Sequence, residues 1–283
     1  MTFRRDLKLF PFFLSAVVSA ILASANFADA AAGATLSADS MNYDPVTKSV
    51  TAEGNVHYAS PDGELFGDRG VGYTDGRTFE LIGGVRGSFA TRSMDISCEY
   101  MEMETAGGSL RRRKITATGD VRLARPDGKV FAQKLMWELD RDNYRAEGGV
   151  VIDFGSYFVD SDDAARNGEQ FWAHNIRRYE DRVRRLSMSA SKASGIISGN
   201  GIAELVAEGA LVMEIEDLKG AKTRITGASG VFSQDRGTIV VSGGASAVQD
   251  GRSLNAGSIV YHLVSGRVEA LGDRPTITFE LRN

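Results

Sequence analysis

An all-β fold of stacked antiparallel strands is what this sequence predicts, on three observations. One phrase recurs: "ADSMNYDPVTKSVTAEGNVHY" at 38–58 returns as "AQKLMWELDRDNYRAEGGVVI" at 132–152 and as "AGSIVYHLVSGRVEALGDRPTI" at 256–277. Within the phrase apolar and polar residues alternate, the period of a strand with one wet face. Glycine is abundant at 32 residues and proline scarce at 5, the balance of a chain with many turns between short strands. A repeat of this kind means that one unit cannot bury its own apolar face and stacks on its neighbours.

The first 30 of the 283 residues stand apart. Arg4, Arg5 and Lys8 precede "LFPFFLSAVVSAIL", an apolar run of 14 residues, and "ADA" follows at 28–30. A run this short falls below the roughly 20 residues of a membrane span. The pattern predicts a signal peptide cleaved after Ala30; an uncleaved anchor is the alternative.

From residue 31 the repeat takes over. Aligned copies share a glycine near the end of their second strand: Gly54, Gly83, Gly119, Gly148, Gly209, Gly243 and Gly272, spaced by 29, 36, 29, 61, 34 and 29 residues. Sixteen residues earlier sits a small residue (Ala38, Gly67, Ala132, Gly227, Ala256), and two before that an apolar one (Leu36, Leu65, Val130, Ile225, Leu254). Eleven before the glycine stands an aromatic at Tyr43, Trp137, Phe232 and Tyr261, with Gly72 as the exception. The copy ending at Gly119 carries about five extra residues and runs through Ile96, Cys98, Met101 and Met103.

In the second strand of the first copy Val50, Ala52, Gly54, Val56 and Tyr58 share one face, and Thr51, Glu53, Asn55 and His57 the other. "DPVTK", "TDGR", "DRDN" and "SQDRG" are turns within units; "SPDGE" and "RPDGK" are turns between them. Glycine weakens a strand unless another backbone or a ligand comes close, so its return at one phase predicts a crowded or sharply bent line along the stack. The spacing of 61 holds a degenerate copy. There "DSDDAARNGEQFWAHNIRRYEDRVRR", with the pair Phe171–Trp172, reads as a short helix or a long excursion. The predicted organisation is a signal peptide at 1–30, a first repeat region at 31–159, an irregular charged insertion at 160–185 and a second repeat region at 186–283.

Charge and chemistry narrow the function. A formal net charge of −4 argues against a general nucleic-acid binder. Cys98 is the single cysteine, so no internal disulfide framework exists, and it reads as a small buried hydrophobe. His57, His174 and His262 fall at non-equivalent repeat positions, and no HExxH, CxxC or Gly-x-Ser-x-Gly occurs. "DSDD" at 160–163 lacks the spaced acidic loop and distal Glu of a calcium site and reads as a solvated turn. Two basic runs remain, "RRRK" at 111–114 and "RRYEDRVRR" at 177–185. They can pair with lipid phosphates, meet an anionic membrane surface, or keep an exposed strand edge soluble.

The phrase at 38–58, small-x-x-apolar-x-Tyr, a turn, then Ala-x-Gly-x-Val, resembles the OstA-like repeat of the LptA family. Weaker matches recur through 36–279, poorest in 160–200. The resemblance implies a β-jellyroll of stacked antiparallel strands, open along one side. It implies lipopolysaccharide or a related glycolipid carried across the periplasm, with acyl chains inside the shell and sugars outside. Separately, the strand ends near Leu36–Tyr43 and Thr276–Leu281 leave unpaired backbone groups, which predicts edge-strand pairing with like-folded transport partners and head-to-tail self-association, with edges capped by the terminal residues as the alternative. Neither an enzymatic activity nor a cofactor follows from the resemblance. A membrane-anchored LptC-like component is the alternative within the family.

The lining candidates for acyl chains are the apolar-face residues around the repeat glycines: Val50, Val56, Leu81, Val85, Val121, Leu123, Val150, Ile152, Leu211 and Met213. Leu135, Trp137, Phe232, Ile259, Tyr261 and Ile277 join them from the first strands and the last unit. A continuous apolar face offers a non-directional lining along which a chain slides, at about 0.8 kcal/mol per buried CH₂. The same face also suits a packed core, as in a structural β-solenoid of the envelope.

Overall fold

The computed structural model describes residues 35–60, 63–73, 78–89, 93–105, 113–126, 128–138, 143–198, 201–217, 220–272 and 274–279. The signal peptide and Arg111–Arg112 lie outside the described residues. The chain divides into two compact units at Gly168/Glu169. All regular structure among the described residues is β-strand.

The first unit holds β1 (Thr35–Ser37), β2 (Ser40–Asp44), β3 (Ser49–Ser60), β4 (Gly63–Tyr73), β5 (Thr78–Phe89), β6 (Met94–Thr105), β7 (Arg113–Arg125), β8 (Gly128–Glu138), β9 (Asn143–Phe154) and β10 (Tyr157–Asn167). From β3 to β10 each strand pairs antiparallel with the next. The second unit holds β11 (Gln170–Asp181), β12 (Leu186–Ser198), β13 (Gly201–Glu216), β14 (Lys222–Ser233), β15 (Thr238–Gln249), β16 (Arg252–His262), β17 (Val268–Leu271) and β18 (Thr276–Phe279). It is the same meander from β11 to β16.

Both meanders close on a split strand. β1 and β2 each pair with one half of β3, and β17 and β18 each pair with one half of β16. The first hairpin turn shows how local chemistry sets these corners. Asp44 Oδ1 accepts the Val46 amide at 2.8 Å and the Thr47 amide at 3.4 Å. The Val46 amide most, then the Thr47 hydroxyl and the Thr47 amide, hold its carboxyl below the usual range.

The insertion expected at 160–185 is corrected: these residues form β10, a tight turn at Gly168 (φ 59°) and β11. The strand period is hidden because, apart from Ile176, the buried positions carry small or polar side chains, Ser161, Ala164, Ala165, Ala173 and Asp181. Hydrophobic alternation cannot register where the inward residues are not large.

Candidate functional site

The inward face is built by a line of bulges. In β3, β5, β7, β9, β13 and β15 the repeat glycine and its successor both take positive φ: Gly54/Asn55, Gly83/Gly84, Gly119/Asp120, Gly148/Gly149, Gly209/Ala210 and Gly243/Gly244. The register slips at this level in each of these strands. The first of each pair has no room for a side chain. A Cβ on Gly209 would stand 2.7 Å from Ser191 Cβ, and one on Gly148 2.7 Å from Gln133 Cβ. The second position points into open space, since a Cβ on Gly84, Gly149 or Gly244 meets nothing within 4 Å. That contrast is why glycine is invariant at the first position while Asn55, Asp120 and Ala210 are accepted at the second.

The partner strands adjust differently. In β4 the inward residues run 65, 67, 70 and 72, and in β6 96, 98, 101 and 103, a slip of one residue without a positive φ. The even-length detour in β3 or β5 keeps inward parity; the odd one in β4 or β6 flips it. The recurring offsets −18, −16 and −11 in the sequence have mixed parity, which no straight strand allows. That signal reveals the slip, and period-2 reading alone passes over it.

At the bulge line each sheet folds back on itself. Tyr58 and Phe79 show this: Phe79 sits level with Val50 through Gly72, eight residues along β3 from Tyr58. A straight strand would separate those levels by about 26 Å, yet the two rings lie 5.6 Å apart. The two halves of the strands are therefore facing walls, joined through the backbone along the bulges, with the hairpin ends at the opposite margin. In the second unit the Arg184 guanidinium lies 5.3 Å from the Phe232 ring. Phe232 is level with Gly195, nine residues along β12 from Leu186.

Apolar rows cross each wall. In the first unit one row runs Phe79, Met103, Ile115, Trp137, Tyr144 from strand to paired strand. The facing wall carries Tyr58, Leu65, Gly87, Ile96, Leu123, Val130, Ile152. In the second unit the rows are Leu205, Phe232, Ile239, Tyr261, Val268 and Met188, Met213, Ile225, Ala247, Leu254, Ile277.

Most residues singled out by sequence lie on these inward faces. Val56, Leu81, Val85, Val150 and Ile259 are fully buried, and Val121, Leu123, Leu135, Trp137, Leu211, Met213 and Tyr261 are nearly so. Val50, Ile152 and Phe232 are half-buried at the margins. Ile277 differs: it ends its row on the outermost strand, 59% exposed. Leu65, Ile96, Met101, Met103 and Ile225, repeat positions not counted among the lining candidates, are buried too, as is Ile115.

Two polar groups sit among them. The Trp137 indole Nε1 is buried without a hydrogen-bond partner among the described residues. Burial pushes the Cys98 thiol up to about 12, so it stays protonated and unreactive at neutral pH.

The histidines do not converge. His57 stacks on Phe66 at 4.4 Å between ring centroids, His174 lies beside Trp172 at 4.9 Å, and His262 Nε2 is 3.3 Å from Glu269. The basic run at 177–185 is taken up by carboxylates: Arg178 and Arg182 pair with Glu180, Arg184 with Asp181, and Arg185 with Glu216.

No family model and no curated protein matches the chain. Among solved structures it is similar to LptH from Pseudomonas aeruginosa, the LptA-homologous periplasmic component of the lipopolysaccharide transport device. The identity is 14%, the match covers 54% of this chain and 94% of that one, and the TM-score is 0.35.

Proposed function

We propose that the chain is a periplasmic carrier of lipopolysaccharide or a related glycolipid, exported by residues 1–30, and that it performs no chemistry on its cargo. The carrying observation is the pair of facing apolar walls, crossed by unbroken rows from strand to strand and joined only along the bulge line. Acyl chains replace wall-to-wall contacts when the walls part at their hairpin margin. Burial of each CH₂ there returns about 0.8 kcal/mol without demanding a fixed position. The lining residues named above act together as solvent, and methionines such as Met101, Met103 and Met213 adapt to chains of varying shape. The buried indole N–H of Trp137 is placed to meet an acyl carbonyl.

The edges support transfer to a like-folded partner. Among the described residues β18 pairs with β16 alone and carries Ile277 and Phe279 at 59% and 60% exposed. At the other end β2 pairs with β3 alone and exposes Met41 and Tyr43. Unpaired backbone groups beside apolar side chains suit strand addition.

Photo-crosslinking in intact cells tests both parts. A photoreactive residue at Val121 or Val150 labels lipopolysaccharide in the periplasmic fraction, whereas one at Arg145, on the outward face beside buried Ala146, does not. Equal labelling at both sets would defeat the inward assignment. An Ile277→Pro chain that folds normally removes a ladder donor from the edge and slows lipid delivery to the partner; unchanged delivery rules out use of that edge.

A further inference from the structure

The outward face of the first unit carries a groove of about 980 Å³ that the lipid-carrying walls do not explain. Its floor is a row of directly paired residues on five adjacent strands: Phe66, Arg86, Ser97, Arg122, Phe131. The order is nearly symmetrical, with a small hydroxyl at the centre, a guanidinium on each side and an aromatic ring at each end. Adjacent strands lie about 4.8 Å apart, so the two arginine backbones stand roughly 10 Å from each other across Ser97. An anion over Ser97 is within reach of both guanidinium groups.

Three further observations point to a ligand. Arg86 and Arg122 are exposed, and among the described residues neither makes an ion pair or side-chain hydrogen bond. Phe66 and Phe131 are large apolar rings left 41% and 37% exposed at the two ends of the charged row. Lys129 adds a third cation to the lining against the carboxylates of Asp68 and Asp95, so the groove is net cationic in a chain of net charge −4. Guanidinium forks match the oxygens of phosphate. Exposed rings flanking them suit the C–H face of a pyranose.

We propose that this groove binds a phosphate-bearing sugar, the phosphate over Ser97 between Arg86 and Arg122 and the sugar against Phe66 or Phe131. The site does not depend on lipid between the walls, and a soluble probe tests it separately. The whole exported chain is titrated with glucose 1-phosphate and with glucose. Binding is expected for the first and not for the second, and Arg86→Gln and Arg122→Gln each weaken it about tenfold. Arg252→Gln, which removes an exposed cation from the second unit, leaves it unchanged. Equal loss in the Arg252 variant, or no loss in the Arg86/Arg122 double variant, would overturn the proposal. Lipopolysaccharide with and without its phosphates then separates two sources of the anion. Affinity lost by the double variant only for the phosphorylated lipid assigns the groove to a lipid headgroup. Lipid affinity unchanged while glucose 1-phosphate binding falls assigns it to a free sugar phosphate.

Discussion

The inward faces of the two units are alike; their outward faces are not. In the second unit opposite charges meet across paired strands: Lys192 with Glu208 between β12 and β13, and Arg224 with Glu214 between β13 and β14. In the first unit Glu53 with Arg69 and Glu104 with Lys114 do the same, but other charges there are left unmatched. Glu80 faces Glu102 across β5 and β6, while Arg86 and Arg122 flank Ser97 farther along the same strands and their neighbour. Like charges placed opposite one another destabilise a sheet, and opposite charges stabilise it. The second arrangement serves the fold by itself. The first leaves charge available to something outside the chain, and that difference separates a supporting face from a recognising one.

The bulge line is where the two units should agree most closely, and breaking it has the largest effect. Gly83→Val and Gly209→Val each place a β-branched side chain in the left-handed region against a neighbouring strand. Left-handed strain and overpacking cost about 1–3 kcal/mol each, so each variant loses about 3 kcal/mol in urea unfolding. Gly84→Asn, one residue along, stays within about 0.5 kcal/mol, because its side chain enters open space and Asn tolerates positive φ. Equal losses at positions 83 and 84 would mean that crowding does not select the glycine.

The arginines give an effect of intermediate size. Asp181, 3% exposed, accepts the Arg184 amide at 2.8 Å and the Arg184 guanidinium at 2.5 Å. Asp181→Asn costs the second unit about 2 kcal/mol by weakening charge-assisted bonds. Arg86→Gln changes stability by less than about 0.5 kcal/mol, since no partner is lost. Denaturation of the two variants side by side checks the contrast; a large loss at Arg86 would make it a structural residue.

The smallest effect depends on pH. Burial, then the neighbouring Glu104 and Glu80 carboxylates, raises the Glu102 pKa above its ordinary 4.5. A raised folded value means that the stabilising protonated form is fully present below the unfolded pKa and is lost as pH rises through the folded one. Glu102→Gln therefore raises the melting temperature slightly at pH 7 and not at pH 4. A gain of equal size at both values would remove charge repulsion as its cause. No counterpart is expected at Glu214, which already faces Arg224.

The strand pattern was legible because alternation needs only neighbours in the chain. Val121 and Leu123 against Asp120 and Arg122 identify an inward face without knowledge of any partner. Parity survives the glycine bulge in these strands because the detour adds an even number of residues, so the lining around the repeat glycines, from Val50 to Met213, could be named from sequence. At 160–185 alternation failed as a guide, since Ser161, Ala164 and Asp181 are buried without being large and apolar.

By itself the sequence determined the repeat, the strand class and the line of crowded glycines, all properties of local period and backbone permissiveness. Only tertiary structure decided that the line is a fold bringing Tyr58 against Phe79, because that angle depends on bulges adding up across paired strands. The same holds for Arg86, Ser97 and Arg122: 36 residues separate the first from the last, and strand register alone sets them side by side.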